Sequence, residues 1–451
     1  MFKRKVYDSL LAWKNRYNGT YACLIEGARR IGKTTVAEEF AANEYKSYIK
    51  IDFSNASKNI KDNFDNIDNP DYFFLRLQTE TGISLYARES VILFDEVQLF
   101  PKARQAIKHL VADGRYDYIE TGSLISIRKN TKDILIPSEE HKISMYPMDF
   151  EEFTWALGKT QEPLLEFYRT GQRLGDSLHR MLMRNYRLYL AIGGMPQAVS
   201  AYVDGRSFDE IDGVKREIIA LYHDDLYKLD PSGKLSAAYE AIPGQLAKKR
   251  KRFVLSAATA KEKGDKDLEI IHDFAESKIV LPCYNVTNPG ISLSQTQDLE
   301  TYKLYLSDIG LFTTMLFNDS NGSHEDIYRK LLSDTLTADL GYLYENAVAQ
   351  EIAASGRKLY YHTWRKSDST HSYEIDFLIT GNKKLVPIEV KSSKTSPHTS
   401  LDEFCRKYSE VVGDRYLLSG KDVSRDGMIQ LKPLYMTRFV VDSEKTPGRL
   451  L

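Results

Sequence analysis

Gly27-Ala28-Arg29-Arg30-Ile31-Gly32-Lys33-Thr34-Thr35 is a complete G-x-x-x-x-G-K-[ST] pattern, and its surroundings give it a chemistry. Ahead of it, Tyr21-Ala22-Cys23-Leu24-Ile25-Glu26 is a short apolar run that predicts a buried strand. Behind it, Thr35–Ala42 has the spacing of a helix. Between strand and helix the glycines let the backbone bend, so that successive N–H groups converge on the β- and γ-phosphates of a nucleotide. The helix N-terminus adds its partial positive charge at the same point. Gly27, Arg30, Gly32, Lys33, Thr34 and Thr35 are therefore the expected cradle for ATP. Lys33 would reach the phosphates and the Thr34 hydroxyl would bind Mg²⁺.

The next stretch outward that supports this is Val91-Ile92-Leu93-Phe94-Asp95-Glu96, four apolar residues ending in two carboxylates. Such a run suits a central parallel strand covered on both faces, with its ligands emerging at the C-terminal end. Asp95 is expected in the Mg²⁺ shell, and Glu96 as the group that orients and deprotonates the attacking water. Tyr116–Ser123 reads as another strand, and Thr121 or Ser123 at its tip either senses the γ-phosphate or simply closes a turn. Val6–Tyr17 and Lys102–Ala112 read as helices and Ser47–Phe53 as a strand. Ser54–Asp71, rich in Asn, Asp and Lys, reads as a surface excursion. The alternation of strands and helices from 20 to 125 predicts an α/β fold with a doubly wound parallel sheet.

Composition bounds the partners. The 451 residues are 42% hydrophobic and 28% charged, enough for about three domains. Lys plus Arg number 62 and Asp plus Glu 63, so no global basic field announces nucleic acid, and any such surface must be local. The three cysteines are scattered without C-x-x-C spacing, which argues against a disulfide framework or a zinc site. Met1-Phe2-Lys3-Arg4-Lys5 is followed by polar residues, and no run approaches the ~18 apolar residues of a membrane span. A cytoplasmic protein with no membrane partner is expected.

Between 160 and 245 the periodicity is helical over Leu164–Tyr168, Leu178–Tyr189 and Phe208–Tyr222, broken by Gly193-Gly194-Met195-Pro196. Lys248-Lys249-Arg250-Lys251-Arg252 is the one dense basic run. It is either a solvated helix surface or a DNA contact. A helix over Leu268–Ser277 precedes strands over Ile279–Val286 and Tyr302–Leu306, an order consistent with a winged helix.

Near the C-terminus, Tyr373–Ile379 alternates like a strand. After a turn at Gly381-Asn382, Leu385-Val386-Pro387-Ile388-Glu389-Val390-Lys391 follows. Side chains two apart share a face, so Glu389 and Lys391 point together, and hairpin pairing brings Asp376 within about one residue of Glu389. Upstream, a helix over Ser333–Ile352 carries Leu336, Leu340, Leu343, Tyr344 and Ala347 as its apolar stripe and Glu345 on its flank. Glu345, Asp376 and Glu389 are candidate ligands for Mg²⁺ or Mn²⁺. Asp376, Glu389 and Lys391 are candidate catalytic groups for phosphodiester hydrolysis, in which a metal polarises the phosphate and Lys supports the nucleophile. The competing reading is a hairpin with a salt-bridged outer face.

GARRIGKTT, VILFDEVQ, YIETGS and MYPMDFEEF together resemble the AAA-type ATPase of a prokaryotic family. In that family the ATPase is fused to a C-terminal region formerly of unknown function. Gly193–Pro196 and Lys303–Leu311 are further stretches similar to it. The resemblance implies a layout of ATPase (1–160), helical region (161–245), winged-helix-like domain (246–329) and nuclease-like domain (330–451). It also implies a homo-oligomer, often a ring, in which a neighbour's arginine completes the site, with Arg104, Arg115 and Arg128 as candidates by location. The C-terminal constellation is similar to the PD-(D/E)xK nuclease superfamily, although Ile375 stands where its proline is usual. The function expected is an ATPase coupled to a metal-dependent DNA nuclease. The alternative is an ATP-driven switch or assembly protein in which the nuclease-like fold only docks partners.

Overall fold

The run Val91–Phe94 has no polar face, and such a strand is stable only where both faces are covered. Ser90–Asp95 is buried along its whole length within a five-stranded sheet. The computed structural model describes residues 1–17, 19–123, 137–248, 250–259, 267–290, 292–318, 324–333, 341–366, 371–381, 384–392 and 398–443. They form two units, Met1–Tyr146 with Glu276–Lys278, and Pro147–Ala275 with Ile279–Leu451.

In the first unit, β1 (Ala22–Gly27), β2 (Ser47–Asp52), β3 (Ser90–Asp95), β4 (Asp117–Ser123) and β5 (Glu140–Ser144) are all parallel, in the order β2-β3-β4-β1-β5. Strand β4 thus separates the strand that enters the phosphate loop from the strand that ends in Asp95. The helices are α1 (Val6–Tyr17), α2 (Lys33–Glu44), α3 (Lys58–Asn63), α4 (Pro70–Thr81) and α5 (Pro101–Asp113). On one face of the sheet Leu24, Ile51, Ile92, Phe94 and Tyr118 pack with Phe73, Phe74 and Leu77 of α4 and Ile107 and Leu110 of α5. Each such buried side chain contributes about 1.5–3 kcal/mol. The alternate residues Cys23, Ile25, Leu93 and Ile119 are also buried, and α2 packs against the strands. Both faces are covered, as a doubly wound sheet requires.

Two features differ from the sequence reading. Residues 54–71 hold α3 and a turn of 3₁₀ helix over Phe64–Asn66. Phe64 is buried in a nest of rings with Phe53, Phe73, Phe94 and Phe100. One aromatic residue anchors a polar segment whose composition alone reads as loop. Strand β5 gave no signal, because only Ile143 of its five residues is fully buried.

The second unit is helical around two sheets. Its first sheet joins β6 (Val280–Val286), β7 (Gln297–Leu306), β8 (Leu359–Arg365) and β9 (Ser372–Ile375) in the order β7-β6-β8-β9. The second joins β10 (Phe377–Thr380), β11 (Leu385–Val390), β12 (Arg415–Ser419), β13 (Ser424–Asp426) and β14 (Ile429–Pro433) in the order β10-β11-β12-β14-β13. The hairpin β6–β7 shares its sheet with β8 and β9, so strands from both sides of residue 329 build one layer. Residues 373–379 are not one strand. The chain leaves the first sheet after Ile375 and enters the second at Phe377, with Asp376 at the crossing. The helix carrying Glu345 is described over Gly341–Ala354, and Leu336 and Leu340 lie outside the described residues. Among the described residues no helix is long and apolar enough to cross a membrane.

Three family-like stretches meet inside this unit. The Met148 N–H donates to Gly194 O at 2.8 Å, and Met148 O accepts from the Tyr189 hydroxyl and the Gln350 amide. Asp308 caps the helix Ile309–Leu316 and accepts from the Gly194 N–H at 2.6 Å. A Cβ on Gly194 would lie 2.0 Å from Met148 O, and one on Gly310 would lie 2.2 Å from Ile192 O. Backbones cross here at a separation only glycine permits. Residues 147–160, read from sequence as the end of the ATPase, are held in the second unit by these bonds.

Gly194→Ala is therefore expected to destabilise the chain by about 2 kcal/mol or more. Gly213→Ala, within the helix Phe208–Leu229 and with nothing within 4 Å of its Cβ position, should stabilise by roughly 0.5–1 kcal/mol. Urea unfolding of the two variants reads both signs. Burial pushes the Asp308 carboxyl up to about 6, against the backbone N–H groups that hold it down. Its protonated form stabilises the fold below the unfolded pKa of about 3.9, and that contribution is lost as pH rises through about 6. The stability of wild type relative to Asp308→Asn should fall by up to roughly 3 kcal/mol between pH 4 and pH 7. A pH series of unfolding curves checks it.

Candidate functional site

The phosphate loop joins β1 to α2 as the sequence predicts. It takes the left-handed conformation at Arg30 (φ 65°) and at Gly32 (φ 93°). Gly27 is required for a different reason, since a Cβ there would lie 2.3 Å from the Met145 carbonyl oxygen. Lys33 is buried and folded onto the loop, its Nζ donating to Ala28 O at 2.7 Å and Gly27 O at 3.2 Å. Burial lowers its ammonium to about 8, against the pull of Glu96 and Asp95. Thr35 is exposed on the first turn of α2.

Asp95, at the end of β3, gathers the remaining groups. Its Oδ1 accepts from the Thr34 hydroxyl at 2.7 Å and from the Thr121 hydroxyl, and its Oδ2 lies 3.5 Å from Lys50 Nζ. Thr121, on β4, thus reaches Asp95. Ser123 ends β4, and its side chain lies outside the described residues. Glu96 has φ 53° and accepts from the Gln98 amide, so the chain turns at once after Asp95. A hydroxyl and a carboxylate side by side are hard oxygen donors of the kind Mg²⁺ takes. They fit the expected metal. Lys50, which also pairs with Glu38 at 2.5 Å, gave no sequence signal because it sits mid-strand on β2.

The arginine candidates fare differently. Arg104 is buried, and its Nε and Nη2 donate to both oxygens of Glu140 at 2.8 and 2.7 Å, so it cannot be offered to a neighbour. The periodicity of α5 places it on the sheet-facing side, which the sequence reading did not weigh. Arg115 is bound by Asp113 and Asp71. Arg128 lies outside the described residues.

The second unit assembles the C-terminal constellation. Phe377 pairs with Ile388 across β10–β11, which sets Asp376 opposite Glu389. Asp376 Oδ2 accepts from the Val390 N–H at 2.8 Å, and Lys391 Nζ lies 2.5 Å from Glu389 Oε1. Glu389 is 2% exposed, and its Oε2 is buried with no hydrogen-bond partner. Glu345 accepts from the Tyr305 hydroxyl at 3.3 Å. Two members escaped the sequence reading. Lys303, on β7, lies 2.6 Å from Glu374 Oε1 and 3.8 Å from Glu345 Oε2. Glu374 was legible as the residue two before Asp376, whereas only the fold brings Lys303 in.

Electrostatics reflect the crowding. Burial, then the charges of Glu345, Glu389 and Glu374, push the Asp376 carboxyl well above the carboxylate range, against Lys303. Burial raises Glu345 and Glu389 as well, each opposed by a lysine, Lys303 and Lys391 respectively. The donors are all carboxylate oxygens, with one unpartnered, which fits a hard divalent cation in chemistry. Among the described residues, however, no three acidic, imidazole or thiol groups converge closely enough to hold a metal ion.

Residues 20–154 match the AAA domain family. Residues 183–322 and 340–435 match two domains of unknown function, DUF8612 and DUF4143. Among solved structures, the chain is similar to a Walker-type ATPase of Pyrococcus abyssi, at 15% identity and a TM-score of 0.43, over 70% of this chain and 96% of that one. It is also similar to a signal-transduction ATPase with a tetratricopeptide repeat sensor from Pyrococcus horikoshii, at 12% identity and a TM-score of 0.27, over 78% of this chain and 48% of that one. A third is Cdc6p from Pyrobaculum aerophilum, at 12% identity and a TM-score of 0.23, over 74% and 94%. No curated protein sequence matches the chain.

Glu96→Gln should keep ATP binding, measured by fluorescent-nucleotide titration, while lowering ATP turnover by about 10²–10⁴-fold. Loss of both together would remove Glu96 from the role of base.

Proposed function

We propose that this chain is an ATP-hydrolysing AAA-type protein whose C-terminal carboxylate–lysine cluster cleaves DNA with Mg²⁺ or Mn²⁺, in the manner of PD-(D/E)xK nucleases. The observation that carries the second half is the facing of Asp376 and Glu389 across β10–β11, with Lys391 Nζ 2.5 Å from Glu389 Oε1.

At the ATP end, Lys33 leaves the loop carbonyls for the phosphates, and the loop N–H groups bind the phosphate oxygens. Thr34 and Asp95 would hold Mg²⁺, which neutralises phosphate charge when bound. Glu96 accepts a proton from the attacking water. Thr121, bonded to Asp95, links the γ-phosphate position to strand β4. A homo-oligomer, ring-shaped in the family it resembles, would bring in a trans-acting arginine.

At the C-terminal end, Asp376 and Glu389, with Glu345 beside them, would hold the divalent cation, which supplies phosphate polarisation and a more acidic water. Lys391 moves from Glu389 Oε1 toward the nucleophile or the scissile phosphate. The N-terminus of the helix Thr399–Lys407 adds partial positive charge at the same place.

One observation favours a second reading, an ATP-driven switch with a docking surface at this end. Lys303 and Lys391 already neutralise the acids as ordinary ion pairs.

Cleavage of circular, linear and branched DNA with Mn²⁺, with and without ATP, separates the two. Wild type should cut, Lys391→Ala should lose at least a hundredfold, and Lys33→Ala should cut with altered ATP dependence. No cutting by any form, with ATP turnover lost only in Lys33→Ala, would select the switch.

A further inference from the structure

The basic run Arg250–Arg252 is not free helix surface. Lys251 Nζ donates to Ser372 O at 3.0 Å, and Lys251 O accepts from the Tyr361 hydroxyl at 2.7 Å, so the run is pinned to the ribbon β8–β9. Arg365 pairs with Ser372 in that ribbon, and Trp364 with Tyr373. The rings of Trp364 and Tyr373 are half-buried and 5.2 Å apart. Lys366 Nζ lies 4.6 Å from the Tyr373 ring, and Lys407 Nζ lies 5.8 Å from the Trp364 ring. Two segments distant in sequence therefore place Lys366 and Lys407 over two half-buried rings, with Lys251 bonded to the Ser372 backbone beside them, in a chain whose net charge is −1. Of the acids alongside, Glu374 is bound by Lys303 and Glu403 by Arg406.

The patch is joined to the carboxylate cluster at two points. Tyr373 precedes Glu374 by one residue and Asp376 by three. The helix Thr399–Lys407, about 12 Å long, packs on β11, the strand that carries Glu389, and reaches Trp364 with its last turn. We propose that this aromatic–lysine patch binds single-stranded DNA and leads it to the carboxylate cluster. Rings give a stacking surface that any base can use, and the surrounding cations contact phosphates. The lysines over the rings are held by cation–π contacts worth little when exposed, so a stacked base displaces them cheaply. A duplex, with its bases stacked inside, cannot use the rings. The proposal rests on the nuclease reading for its purpose, and its test does not.

Binding of a labelled oligo-dT to the full chain is measured by anisotropy in EDTA, where no cleavage occurs. Wild type should bind oligo-dT at least tenfold more tightly than a duplex of equal length, and binding should quench tryptophan fluorescence. Lys366→Glu/Lys407→Glu should weaken binding at least tenfold and reduce the salt slope by roughly 1.4, about 0.7 for each lost phosphate contact. Trp364→Phe should lose the quench while keeping most of the affinity. Unchanged affinity and slope in the double variant, at an unchanged melting temperature, would overturn the proposal. So would equal binding of duplex, or binding of oligo-U alone. If oligo-dT binds as described and Mn²⁺ brings no cutting, the nuclease reading fails and the patch stands.

Discussion

A strand covered on both faces can keep a carboxylate only at its end or against a partner, and both sites of this protein depend on that constraint. Strand β3 is buried from Ser90 to Asp95, and the Asp95 charge is met there by the Thr34 and Thr121 hydroxyls and by Lys50. Strand β11 is buried from Leu385 to Val390, and Glu389 within it is met by Lys391. Removing either partner would leave a buried charge uncompensated, which costs far more than a surface ion pair contributes. The acids are therefore held in place by these contacts.

The two ends meet the constraint differently. At Asp95 the partners are hydroxyls and a half-exposed lysine, groups that a nucleotide and its metal can join or replace with small movements. Around Asp376 the acids outnumber the lysines, and burial raises the carboxyl pKa values instead of being fully relieved. A site in that condition gains from any added cation, whether metal or protein.

Much of this was legible in the residues. The phosphate loop, the order of strands and helices to residue 123, and the facing of Asp376 and Glu389 all derive from spacing, because each depends on neighbours in sequence. The rest depends on contacts that spacing does not encode. Lys303 enters the acid cluster only through the fold, which brings β7 against Glu374 of β9 and Glu345 of the helix Gly341–Ala354, and Phe64 turns a polar segment into core. Asp376 reads as mid-strand but sits where the chain changes sheets. Arg104 is bound by Glu140, which lies on a strand with no apolar pattern.

The central claim is that the C-terminal acids hold a metal and not merely two lysines. Its most direct measurement is the number of Mn²⁺ ions bound per chain, counted by electron paramagnetic resonance in Thr34→Ala, where the ATP-site ligand is removed. One or more ions are expected, and they should be lost when Asp376→Asn and Glu389→Gln are added. An empty Thr34→Ala chain, with its fold intact, would contradict the claim and leave the cluster as a docking surface.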